Sequence, residues 1–139
     1  MNGLVAAVAF TWLGMVAGVS FLEAPLKFRA PGITLPLGLG IGRLVFAALN
    51  RVEVGLLALT AVALPLGSPT GPMVWSTVAA GALLGAQLTL VRPALTRRSD
   101  RVLAGEEAPR SRAHHAYVAL ELSKVTALIA LGVFALGAR

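Results

Sequence analysis

Two stretches of the chain place ionisable side chains at helical spacing inside otherwise apolar sequence. The first stripe consists of Arg43, Phe46, Asn50 and Glu53. The second stripe consists of His114, Tyr117, Glu121 and Lys124. In each stripe the residues follow one another at i, i+3, i+7 and i+10, which places them on one face of a helix. Charged groups in such spans cost roughly 2–3 kcal/mol each to insert and normally pair inside a bundle, so they indicate ion pairing or the binding of a polar ligand.

The expected depth of these groups brings them into one layer. Counting about 20 residues per crossing from the far ends of the spans places Glu53 about 9 Å and Lys124 about 7 Å inside the apolar layer. Gln87 in the third span and Glu23 at the end of the first lie in the same half. We therefore expect all four spans to contribute polar groups to one layer. The expected pairs are Glu53 with Lys124, Arg51 or Asn50 with Glu121, and Glu23 with Arg43 or a histidine.

Two interpretations of this layer remain open. In the first, the protein binds or translocates a small solute or ion, and substrate or a proton opens the pair of Glu53 and Lys124. The candidate binding residues are then Glu53, Lys124, Glu121, Arg51, Asn50, Arg43, Glu23 and Gln87. In the second, three acids and three bases among these residues neutralise one another. The layer then only holds together a non-catalytic accessory or scaffold subunit of a membrane complex.

The elements that must position these residues are long apolar segments. Of the 139 residues, 57% are hydrophobic and only 13% are charged, whereas a soluble domain carries about 25% charged residues. Segments long enough to cross a bilayer occupy residues 3–22, 39–66, 72–91 and 116–138. They lack the alternation of a membrane barrel. The sequence therefore predicts an all-α fold, a four-helix transmembrane bundle that forms one integral membrane domain over residues 1–139.

The positions of lysine and arginine predict the orientation of this bundle. Ten of the twelve basic residues lie in the segments 27–51 and 92–112. By the positive-inside rule, both segments face the cytoplasm and both termini are extracytoplasmic, in a multi-pass protein of a bacterial-type cytoplasmic membrane. Residues 92–112 are expected to form a solvated basic loop attracted to anionic lipid headgroups. Because the charges flank membrane spans, we expect no nucleic-acid partner.

The sequence gives little support for a metal site, a cofactor site or a catalytic site. The chain has no cysteine and only two histidines, the neighbours His114 and His115. Neighbouring helical residues point about 100° apart, so these rings cannot easily share one metal ion. No set of Ser, His and Asp for nucleophilic catalysis is present. We therefore expect no metal site and no cofactor, and a membrane enzyme using one of these histidines is the least favoured interpretation.

Three pairs of glycines occur at the spacing that lets helix backbones approach closely. They are Gly14 with Gly18, Gly38 with Gly42, and Gly81 with Gly85. Such pairs pack either the helices of one bundle or a second chain. A homo-oligomer or another membrane protein is therefore a possible partner.

The first half of the chain also resembles a known family. The residues that carry the resemblance are Trp12, Gly14, Phe21, Pro25, Phe28, Gly42, Phe46, Asn50 and Glu53. They form a Trp-x-Gly turn, a Pro-x-x-Phe at the end of the first span and a Gly-x-x-x-Phe-x-x-x-Asn run into the second. This pattern is similar to that of the TMEM205-like four-helix membrane proteins. The resemblance implies a four-helix membrane architecture and assigns no activity.

Overall fold

Four long helices make up the molecule. The structure is a computed structural model that describes residues 1–109 and 112–138. The helices are α1 Asn2–Lys27, α2 Leu35–Leu66, α3 Gly71–Leu103 and α4 Arg112–Gly137. Each is long and apolar enough to cross a membrane, and the described residues contain no strand. The predicted all-helical fold is confirmed, with four helices that are long and apolar enough to be the predicted spans.

Helices α1 and α3 extend beyond their expected ends. Helix α3 continues through Arg92 to Leu103, so the expectation of a solvated loop over the whole of residues 92–112 was wrong. The polar composition suggested a loop, but no helix breaker lies between Pro93 and Gly105. Proline is tolerated at the start of a helical turn, and the chain turns at Gly105, whose φ of 90° favours glycine.

Both extended helices contain a π-helical segment, Ala17–Glu23 in α1 and Gln87–Val91 in α3. Each segment ends two residues before a proline, Pro25 or Pro93. A proline ring clashes with the carbonyl four residues earlier and donates no hydrogen bond. A local change to i→i+5 bonding removes that conflict without ending the helix, and such π segments are frequent at functional sites.

The two ends of the bundle differ in character. At the end that we call the terminal end, the buried side chain of Asn2 joins the α2–α3 turn to the end of α4. Its Nδ2 donates to the carbonyls of Ser68 and Ala138 over 3.3 and 3.1 Å, and its Oδ1 accepts from the amide of Ser68 over 3.1 Å. At the opposite end, the basic end, residues 28–34 connect α1 to α2 and α3 turns towards α4.

The core is layered along the bundle axis. Nearest the terminal end is an apolar cluster of Val5, Ala6, Ala9, Ala63, Leu64, Met73, Leu131 and Ala135. The next layer consists of Trp12, Val16, Ala80, Leu84, Ala127 and Leu128. Beyond Trp12 the interior becomes polar. The apolar layers thus close the bundle on one side of the polar layer.

The outer surface of the helices is apolar. Large hydrophobic side chains on every helix are exposed, for example Phe10, Leu44, Trp75 and Val133. Apolar side chains on the outside of a bundle with a polar interior layer match contact with lipid hydrocarbon rather than with water.

The Asn2 contacts generate a stability prediction. Replacing Asn2 with Leu removes three hydrogen bonds and leaves the Ser68 amide without its side-chain acceptor, so we expect a loss of about 1–3 kcal/mol of unfolding free energy. Reversible denaturation of the purified protein in detergent measures it. Ser68→Ala, which keeps all the backbone groups that Asn2 contacts, is the control. Equal stability of both variants would contradict this role of Asn2.

Candidate binding site

The polar layer is centred on the ammonium group of Lys124, which is fully buried. Its Nζ lies 2.5 Å from Glu53 Oε1 and 2.6 Å from Glu121 Oε1, and it donates to Gln87 Oε1 over 2.7 Å. A lysine ammonium has three protons. Each therefore has its own acceptor, and these acceptors come from three helices, α2, α3 and α4. The predicted pair of Glu53 and Lys124 is present.

The carboxylate of Glu121 connects further helices to this ammonium. Its Oε1 accepts from Gln87 Nε2 over 3.3 Å in addition to contacting Lys124. Its Oε2 accepts from the hydroxyl of Ser20 on α1 over 2.7 Å. Ser20 and Gln87 both lie in π segments, so the two local distortions place side chains on the same carboxylate.

Only one of the two oxygens of the Glu53 carboxylate has a hydrogen-bond partner. Its Oε1 accepts from the indole Nε1 of Trp12 over 2.9 Å and contacts Lys124. Its Oε2 is buried with no hydrogen-bond partner among the described residues. The cluster of Trp12, Ser20, Glu53, Gln87, Glu121 and Lys124, which we call the charged cluster, contains two carboxyl groups and one ammonium. With all three ionised it carries one net negative charge.

A cavity of about 660 Å³ lies between this cluster and the basic end. Both sequence stripes point into it: its walls include Arg43, Phe46 and Asn50 from α2 and His114, Tyr117 and Glu121 from α4. Glu53 and Lys124, the last members of the two stripes, lie beyond it in the charged cluster. Glu121 belongs to both the cavity wall and the cluster. A volume of this size is typical of small-molecule sites.

An arginine that sequence reasoning did not select is prominent in the wall. The guanidinium carbon of Arg92 lies 4.9 Å from the ring centroid of Phe46 and 4.7 Å from that of Tyr117. The two rings meet edge to face with centroids 5.7 Å apart. The Nε and Nη2 atoms of Arg92 are buried and have no hydrogen-bond partner in the described part of the chain.

The other basic groups around the cavity have partners. Arg43 Nη1 lies 2.7 Å from Asp100 Oδ1, so the expected pairing of Arg43 with Glu23 was wrong. Glu23 instead lies 3.9 Å from Lys27, one helical turn away. Arg98 Nε donates to the carbonyl of Ala108 over 2.9 Å.

The expected partners of Glu121 were also wrong. Arg51 is exposed, because it lies about 100° around the helix from the interior-facing Asn50. Asn50 is buried and lines the cavity without a hydrogen bond to Glu121. The positions near Glu121 are taken by Lys124, Gln87 and Ser20.

Sequence reasoning missed Trp12, Ser20 and Arg92 as members of this region. Trp12 and Ser20 lie in an uncharged apolar span, where such residues usually serve packing. Arg92 follows the expected end of the third span and was counted as a loop charge. The two prolines that follow the π segments were the available signal, because each marks a helix distortion next to one of these residues.

The cavity wall combines charged, polar and apolar side chains. Within residues 1–109 and 112–138, no group of three or more His, Cys, Asp and Glu side chains has the arrangement needed to hold a metal ion. The cavity offers guanidinium, ammonium, hydroxyl and amide groups, the carboxylate of Glu121 and the imidazole of His114, together with apolar walls.

Comparisons with protein-family models, with curated proteins and with solved structures find no match to this chain. The resemblance to TMEM205-like proteins therefore stays a prediction.

The Lys124 contacts generate a second stability prediction. Lys124→Met leaves two buried carboxyl groups without their cation, so we expect a loss of about 3–5 kcal/mol, measured by unfolding in detergent. Adding Glu53→Gln and Glu121→Gln to Lys124→Met removes both uncompensated charges and should restore most of the lost unfolding free energy. Lys27→Met, which changes the only other lysine, should unfold close to wild type. A Lys124→Met protein as stable as Lys27→Met would contradict the central role of this ammonium.

Proposed function

We propose that this protein is a multi-pass membrane protein that binds a small solute or ion in the cavity at its basic end. The observation that carries the proposal is that Glu121 lies both in the wall of a 660 Å³ cavity and in the charged cluster. A ligand that enters the cavity therefore meets a carboxylate that contacts α1 and α3 directly and α2 through Lys124 and Glu53. Binding there can alter the pairing of Lys124 with its two carboxylates.

The layering of the core supports binding from one side. The cavity is at the basic end, and the two apolar layers, which include Met73, Leu84 and Leu131, close the interior towards the terminal end. Translocation by the same protein would require these layers to open. The proposed resting state is a site open only towards the basic end.

The proposed orientation places the basic end in the cytoplasm of a bacterial-type cell, as the positive-inside rule predicts. The cysteine-free sequence allows a direct test with single introduced cysteines and a membrane-impermeant thiol reagent. We expect Ser68→Cys to react in intact cells and Ala104→Cys to react only in inverted membrane vesicles. The reverse pattern would refute this orientation.

The proposed site predicts which interior positions a small solute can reach. A small charged thiol reagent serves as the probe. Leu39→Cys and Val118→Cys, which lie in the cavity wall, should react in detergent or from the basic end of the bundle. Ala63→Cys, which lies in the apolar layer at the terminal end, should not. Cavity positions as unreactive as Ala63→Cys would show that no solute enters and would overturn the proposal.

A second candidate function is supported by the complete pairing of Lys124. An ammonium with three satisfied protons at zero exposure is also what a purely structural lock requires. In that case the protein is a non-catalytic accessory or scaffold subunit, and its cavity is only a packing gap. Unreactive cavity cysteines together with a large loss of stability in Glu53→Gln would favour this candidate.

A further inference from the structure

We infer that Arg92 binds the oxyanion headgroup of an anionic amphiphile whose apolar chain lies along the cavity wall. This inference names the ligand class for the proposed site and rests on that proposed function. Three observations carry it: an unpaired guanidinium edge, the pairing of the neighbouring cations, and the mixed character of the cavity wall.

The unpaired atoms of Arg92 are the two that form one edge of its guanidinium. Nε and Nη2 donate in parallel and match the two oxygens of a phosphate or carboxylate group. Both are buried without a partner in the described residues. A buried charged donor without an acceptor is costly. Arg92 lines the cavity, and an oxyanion seated beside it supplies the missing acceptors once the guanidinium turns this edge towards the cavity.

The surroundings of Arg92 direct the anion to this group. Arg43 has the carboxylate of Asp100, and Arg98 Nε is bonded to a backbone carbonyl. Lys27 lies 3.9 Å from Glu23, at ion-pair distance without a hydrogen bond. The carboxylate of Glu121 is occupied by Lys124, Gln87 and Ser20. Arg92 is held in place by the faces of Phe46 and Tyr117, which orient a cation without neutralising it.

The remainder of the cavity wall fits a hydrocarbon chain. Phe21, Phe28 and Leu35 line the cavity near the basic end and are partly exposed. A lipid chain that enters from the basic end can lie against these apolar side chains. Ser99, two turns after Arg92 on the same helix face, also lines the cavity, and its buried hydroxyl lacks a partner among the described residues.

Native mass spectrometry of the purified protein with added ligands tests this inference. The probes are phosphatidylglycerol and phosphatidylcholine with identical chains, oleate, and inorganic phosphate. We expect phosphatidylglycerol or oleate to bind at least roughly tenfold more tightly than phosphatidylcholine, because both carry a net negative charge, whereas the choline cation of phosphatidylcholine neutralises its phosphate and is repelled by the arginines around the cavity. The phosphatidylglycerol and oleate arms tell whether a phosphate or a carboxylate is preferred. Displacement of the lipid by equimolar inorganic phosphate would overturn the requirement for an apolar chain.

Matched variants connect the binding to Arg92. Arg92→Gln should lower the affinity for the preferred anionic lipid about tenfold or more, and Arg97→Gln, which removes an exposed charge from the same helix, should not. Arg92→Lys keeps the charge but loses the two parallel N–H donors, so this variant should bind the lipid with intermediate affinity. Equal affinities of Arg92→Gln and Arg97→Gln would overturn the inference.

A second pair of variants tests the cavity without changing its charge. Leu39→Trp fills the cavity from its apolar side, whereas Leu44→Trp makes the same replacement at an exposed position of α2. Lipid binding should be lost only in Leu39→Trp, and unchanged binding in that variant would contradict a chain in the cavity. If the cavity cysteines react but lipid binding does not depend on Arg92, the proposed solute-binding site remains supported. Only the anionic amphiphile is then rejected as its ligand.

Discussion

An ammonium group inside an apolar bundle constrains almost everything else in this molecule. Lys124 can remain charged there only if each of its protons has an acceptor and an opposite charge lies in contact. Glu53, Glu121 and Gln87 meet that requirement from α2, α4 and α3. Ser20 and Trp12 on α1 bind the two carboxylates in turn. One cation thereby fixes the relative depth of four helices.

The helix distortions lie beside the charged cluster and have their own cause in two prolines, Pro25 and Pro93. A regular α-helix through Ser20 or Gln87 would meet the following proline with a steric clash. The π segments relieve it and lie at the level where both side chains contact Glu121. The widened helices border the cavity, since Ser20 lies in its wall and Arg92 directly follows the second segment. The distorted segments thus supply Ser20 and Gln87 to the site.

The parts of the site that were predictable are those set by local helix geometry. The two stripes reach the cavity and the charged cluster as expected, because i, i+3 and i+7 spacing survives any arrangement of the helices. The pairing of Arg43 was not predictable, because it depends on Asp100 in a stretch of α3 whose composition suggested a loop. The contacts of Trp12 and Ser20 could not be predicted, because an uncharged side chain does not require a partner of opposite charge. The single polar layer towards one end of the spans was predicted from hydropathy and span length.

The most direct test of the account is the distance from the Lys124 ammonium nitrogen to the carboxyl carbons of Glu53 and Glu121 in lipid bilayers. Solid-state NMR of uniformly labelled protein can measure both, and the assignment is simple because the chain has only two lysines. The account predicts direct-contact couplings from the one ammonium to both carboxyl groups. A Lys124 ammonium coupled to neither, or to Glu121 on its own helix alone, would contradict it.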